Sequence, residues 1–161
     1  MRSLLFTIIT ITLFSCGRET DTLSPIVGNG EGDFRGNSIG DRYERVLKNA
    51  ATDNPTIPEE GVISCEFKVE ESELLVRYEF DDEKLYSIQA DIFFADTASL
   101  SSFLTSLQER MAEQHGEMTS DAGFLVWKDK SSGTEVEYEV ADESIEFGRP
   151  KLSLTIYNFD Y

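Results

Sequence analysis

Several groups of residues have types and spacing that could do chemistry, and each demands a scaffold that the chain must supply. Gly36-Asn37-Ser38-Ile39-Gly40 has the G-x-S-x-G spacing of a nucleophile elbow, in which a strand before the serine and a helix after it raise the hydroxyl on a strained turn. Here the preceding residues are glycine-rich, and the sole histidine, His115, lies far along the chain. A serine needs an adjacent base to become a nucleophile, so Ser38 reads as a residue that opens a helix. His115 alone falls short of a zinc site, which combines several His and Cys ligands. At the end of a helical stretch it faces the negative end of the dipole. The glycines between Gly28 and Gly36 have neither the preceding strand nor the lysine of a phosphate cradle. Cys65 occupies the apolar side of the alternating run Ile63-Ser64-Cys65-Glu66-Phe67, which is a core position. There remain Glu135, Glu137 and Glu139, which strand alternation places on one face. Such a ladder holds calcium only with further oxygens, usually from a loop, and no D-x-[DN]-x-[DN]-G loop is present. The expectation is no catalytic residue, no metal and no cofactor, but an acidic strip on which a basic protein could dock.

The elements that must position these groups follow from periodicity. Tyr43, Val46 and Leu47 keep helical spacing over 41–50, and Asp53-Asn54-Pro55 with Pro58 then breaks the chain. Three alternating runs follow, over Ile63 to Val69, Leu74 to Phe80 and Tyr86 to Phe94, joined by connectors short enough for hairpins. Asp96 or Thr97 caps a second helix with Leu100, Phe103, Leu104, Leu107 and Met111 along one stripe, and Gly116 ends it. Three more strands are expected at Phe124 to Lys128, Glu135 to Val140 and Leu152 to Phe159, with an extra strand piece at Ile145-Glu146-Phe147. The predicted fold class is α+β, an antiparallel sheet of about six strands with two helices on one face. Helix-β-β-β then occurs twice, over 38–95 and 96–161, and Tyr78-Glu79-Phe80-Asp81 echoes Tyr138-Glu139-Val140-Ala141. The face without helices is expected to carry Arg77, Glu79, Asp91, Phe93, Trp127, Glu135, Glu137, Glu139, Thr155, Tyr157 and Phe159. Phe93, Trp127, Tyr157 and the three glutamates form the predicted partner-binding set, because aromatics anchor an interface and charges steer it.

The first residues carry a different kind of signal. Arg2 precedes an uncharged, mostly apolar run that ends at Leu13-Phe14-Ser15-Cys16, the layout of a secretory signal over residues 1–15. As a helix, Leu4 to Phe14 would reach about half way across a bilayer core. Leu13-Phe14-Ser15-Cys16 resembles the lipobox of bacterial lipoproteins. The resemblance implies that Cys16 is lipidated and becomes the new N-terminus, tying the chain to a membrane of the bacterial cell envelope. Gly17 follows it where the enterobacterial sorting rule reads an aspartate as inner-membrane retention, so the expected address is the outer membrane. Residues 16–37, polar and glycine-rich, read as a flexible tether, and 38–161 as one domain.

With Cys16 lipidated, Cys65 is left without a disulfide partner. Loss of Arg2 takes the net charge from −17 to −18, a field that repels nucleic acid and bare anionic membranes and steers basic partners. In element order and anchor the chain resembles β-lactamase-inhibitor-like proteins and short outer-membrane assembly lipoproteins. That resemblance implies a non-catalytic protein binder with an inhibitor, immunity or assembly-accessory role. The alternative is a periplasmic small-ligand or ion-binding lipoprotein, which needs an apolar pocket between sheet and helices.

Overall fold

The computed structural model describes residues 21–130 and 135–159. Its frame is one antiparallel sheet of eight strands: β1 (Pro55–Thr56), β2 (Val62–Val69), β3 (Ser72–Asp81), β4 (Lys84–Phe93), β5 (Thr119–Asp121), β6 (Phe124–Asp129), β7 (Val136–Asp142) and β8 (Lys151–Asn158). Their spatial order is β1-β2-β3-β4-β8-β7-β6-β5. Two meanders therefore run inward from opposite edges and meet where β4 pairs with β8.

Alternation separates the two faces. Register aligns Ile63, Tyr78, Ile88, Ile156, Tyr138 and Trp127 in one row across six strands, and every member is buried. The next inward row runs Cys65, Val76, Ala90, Leu154, Val140 and Leu125. Helix α3 (Thr97–His115) lays Leu100, Phe103, Leu107 and Met111 into this core, and Leu104 packs at its margin. Asp96 caps α3 through its side-chain oxygen, which accepts from the Ser99 N–H at 2.8 Å. Helix α2 (Tyr43–Asn49) adds Val46.

The expectation of a six-stranded sheet with two helices on one face is overturned. The sheet has eight strands, and two short helices join the two expected: α1 (Ser24–Val27) and α4 (Ser144–Phe147). The missed strands β1 and β5 are two and three residues long, too short for a period to show. Ile145-Glu146-Phe147 is a helical turn, not a strand, and it lies against the other sheet face, where Phe147 meets Phe93 edge-on at 6.2 Å.

The tether reading also fails from residue 22 to 37. Leu23, Ile26, Val27 and Phe34 belong to the main core, and polar anchors hold the strap down. Arg35 makes a paired contact with Asp53 at 2.8 and 2.7 Å, Arg110 donates to the Gly28 carbonyl at 2.8 Å, and Tyr138 donates to Asp33 at 2.7 Å. The glycines serve compactness rather than mobility. Gly32 has φ +71°, and a Cβ there would stand 2.8 Å from the Asn37 carbonyl oxygen. The expected tether residues 16–20 lie outside the described residues, as do the signal segment and Cys16.

Candidate functional site

The face opposite the core cluster carries the predicted binding residues, with one exception. Strand alternation turns Glu137, Glu139, Tyr157 and Phe93 outward, while Trp127 points into the core beside Tyr138 and is 1% exposed. The sequence placed Trp127 between Val126 and Lys128, where a shift of one residue reverses the side chain. The structure gives the outward places to Val126 and Lys128.

Around Tyr157 the glutamates form a closed network. Glu137, with its side chain 8% exposed, takes Lys128 at 2.5 Å on one oxygen and lies 3.0 Å from the Tyr157 hydroxyl with the other. Glu139 stands at the same 3.0 Å from that hydroxyl. One phenolic proton thus lies between two carboxylates. Burial first, then these two neighbours, pushes the Tyr157 hydroxyl well above its ordinary range. Glu135 just precedes β7 and binds Lys130 at 2.7 Å and Lys128 at 3.7 Å. The Lys130 contact leads in drawing its carboxyl below the usual value. The Lys128 ammonium also sits 4.7 Å from the centre of the Phe159 ring, which is 53% exposed.

Phe93 belongs to a second cluster at the far corner. The Arg149 guanidinium lies over its ring at 3.7 Å, and Lys151 is held by Asp91 at 3.0 Å and Glu143 at 2.7 Å, with the Phe147 ring centre 3.6 Å away. Burial alone would lower the Lys151 pKa, but the two carboxylates outweigh it and raise it. A nucleophilic lysine needs the opposite shift. This lysine therefore holds α4 against the sheet.

Between these clusters the sheet is hollow. A depression of about 450 Å³ is floored by Ser64, Leu75, Arg77, Gln89, Asp91 and Thr155, and Leu75 is 42% exposed. It continues past Asn54, Glu66 and Leu75 into a smaller recess reaching Phe93 and Arg149. Arg77 is fixed across it by Glu79 and Glu59, each at 2.6 Å. Sequence reasoning missed Leu75 and Gln89 as parts of a groove because concavity comes from sheet twist and the β1 edge, which alternation does not encode.

The residues weighed for catalysis stay apart. Ser38 belongs to the turn before α2, where its N–H donates to Asp41. His115, at the end of α3, contacts Asp129 at 3.2 Å and stacks on Tyr138. Cys65 is buried, and burial, with Asp53 second, pushes its thiol up to about 11. Among the described residues no group of three or more His, Cys, Asp or Glu is arranged to hold a metal ion, and no helix is long and apolar enough to cross a membrane. No family model matches the chain, and neither a curated protein nor a solved structure matches it.

Proposed function

We propose that this chain is a non-catalytic, lipid-anchored protein of the bacterial envelope, tied to the outer membrane through Cys16, which binds another protein through its open sheet face. The observation that carries this reading is a broad sheet surface left bare by α1, α2 and α3. It combines a groove, the exposed apolar residues Leu75, Phe124 and Phe159, and a rim of charged groups. Exposed apolar area framed by charge is the composition of a protein-docking surface. Inhibitor, immunity and assembly-accessory roles all use such a surface.

A photo-activated cross-linking residue at Leu75 or Phe159 should trap one protein of defined mass in intact cells, whereas the same residue at Glu109 on α3 should trap none. Equal trapping at Glu109 would remove the open face as the binding surface. Intact-mass measurement of the membrane fraction tests the anchor: the mature chain should begin at Cys16 and carry acyl mass, since chains in combination give stable attachment. A second reading, a small-ligand binder, rests on the open-face groove, whose lining mixes polar groups with Leu75 and Val76, rather than on an apolar pocket between sheet and helices. A bound small molecule in native mass spectrometry, in place of a cross-linked protein, would select it.

A further inference from the structure

A second cleft among the described residues, roomier than the open-face groove, lies where α2 meets the β3–β4 turn. It encloses about 830 Å³ between Tyr43, Ile57, Gly61 and Phe80, and its rim carries Glu44, Glu60, Asp82 and Glu83 with Arg42. Its floor is apolar: Tyr43 and Phe80 meet edge-on at 5.0 Å, and Ile57 is 58% exposed. An isoleucine so exposed beside two aromatic rings is an unpaired apolar surface.

The walls are held rigidly. The Tyr43 N–H donates to the Glu83 carbonyl at 2.9 Å, Leu85 N–H to Asp41 at 2.8 Å and Phe80 N–H to Gly61 at 2.8 Å. Asp82 and Glu83 both adopt left-handed backbone at φ 50° and 63°, which presents their side chains at the tip of the turn. A pre-formed cleft loses little ordering entropy on binding.

We propose that this cleft receives a basic, amphipathic segment of a partner protein, with an apolar side chain on the Tyr43–Phe80–Ile57 floor and flanking lysines or arginines at the rim. Charge selects this occupant. Among the described residues Glu44, Glu60, Asp82 and Glu83 take part in no ion pair, whereas the ladder glutamates Glu135 and Glu137 each hold a lysine. The aliphatic stems of lysine and arginine cover apolar surface while their heads reach carboxylates. The proposal adds a second surface to the open face. Thr22 lies beside the β2–β3 turn, and the cleft lies at the opposite end of β3.

The test uses the protein as the cell makes it, in detergent, with a synthetic hexapeptide alternating lysine and leucine as probe. Amide shifts induced by the peptide should centre on Tyr43, Ile57, Gly61 and Phe80. Combined Glu44→Gln, Glu60→Gln and Asp82→Asn changes should weaken binding by about tenfold, whereas Glu109→Gln, Glu113→Gln and Glu117→Gln together should change it by less than about twofold. Ile57→Ser, which leaves charge untouched, should also weaken it. Equal losses in the two charge variants, no loss with Ile57→Ser, or shifts centred on Leu75 and Gln89 would each overturn the proposal. The last outcome would leave the open face as the docking surface.

Discussion

The acidic ladder of β7 and the acidic rim of the α2 cleft are made of the same kind of side chain and differ in what the folded chain sets beside them. Glu135 and Glu137 are spoken for by Lys128 and Lys130, and Glu137 and Glu139 share the Tyr157 hydroxyl. The rim carboxylates have Arg42 as the one cation among the described residues that line the cleft, and no ion pair engages them. The difference comes from the elements. A ladder on paired strands meets cations by register, since Lys128 stands directly opposite Glu137. The rim carboxylates, Glu44 at the start of α2 and the others on turns, have no facing strand. Paired charges fix the sheet, whereas unpaired ones shape the field that a partner meets.

The largest expected effect breaks the ladder strand from behind. Trp127 fills the core side of β6, directly opposite Tyr138, so Trp127→Ala should cost about 3–5 kcal/mol. Trp127→Phe should cost less, because it also removes an indole N–H that is buried without an acceptor. Denaturant midpoints measure both. A loss for Trp127→Ala below about 1 kcal/mol would mean that the indole lies outside the core.

A direct comparison of one carboxylate from each region comes next. Glu137→Gln removes the partner of Lys128 from a nearly buried site. Lys128 itself is 43% exposed, so solvent screening reduces the loss to about 1–2 kcal/mol. Glu83→Gln on the rim should stay within about 0.5 kcal/mol of wild type. Equal losses at the two positions would erase the distinction between structural and available charge.

What could be read from sequence divides along the same line. Strands β2, β3, β4, β6, β7 and β8 and helices α2 and α3 are visible in the sequence because each runs long enough to show a period. Strands β1 and β5 and helices α1 and α4 are not, having two to four residues each. The strap over 22–37 is not legible in sequence because its composition resembles a linker. Its order rests on long-range contacts such as Arg35–Asp53 and Tyr138–Asp33 that no local window contains. Alternation turns Glu137, Glu139, Tyr157 and Phe93 to the face opposite the core, but Glu137 and Phe93 are buried there. Trp127 turns to the core instead, and the cations that neutralise the ladder were overlooked although Lys128 and Lys130 stand in the neighbouring strand and turn. The cleft joins residues from three separate stretches of chain, and only the fold brings them together.

The smallest effect concerns Glu135, the outermost carboxylate of the ladder, and its pH dependence has a definite sign. Lys130, Lys128 and their hydrogen bonds draw its carboxyl below the ordinary value of 4.5 in the folded chain. A depressed folded-state pKa means that the unfolded chain binds the proton first. The contribution is therefore complete above about 4.5 and disappears as pH falls through the lower folded value. Glu135→Gln should be slightly less stable than wild type at neutral pH, and the gap should close in acid. Following the Glu135 carboxyl carbon by NMR, beside denaturation of both proteins at several pH values, measures the pKa and its consequence together. A titration midpoint at or above 4.5, or a gap that widens in acid, would show that Lys130 does not hold Glu135 in solution. That end of the ladder would then join the cleft rim as charge available to a partner.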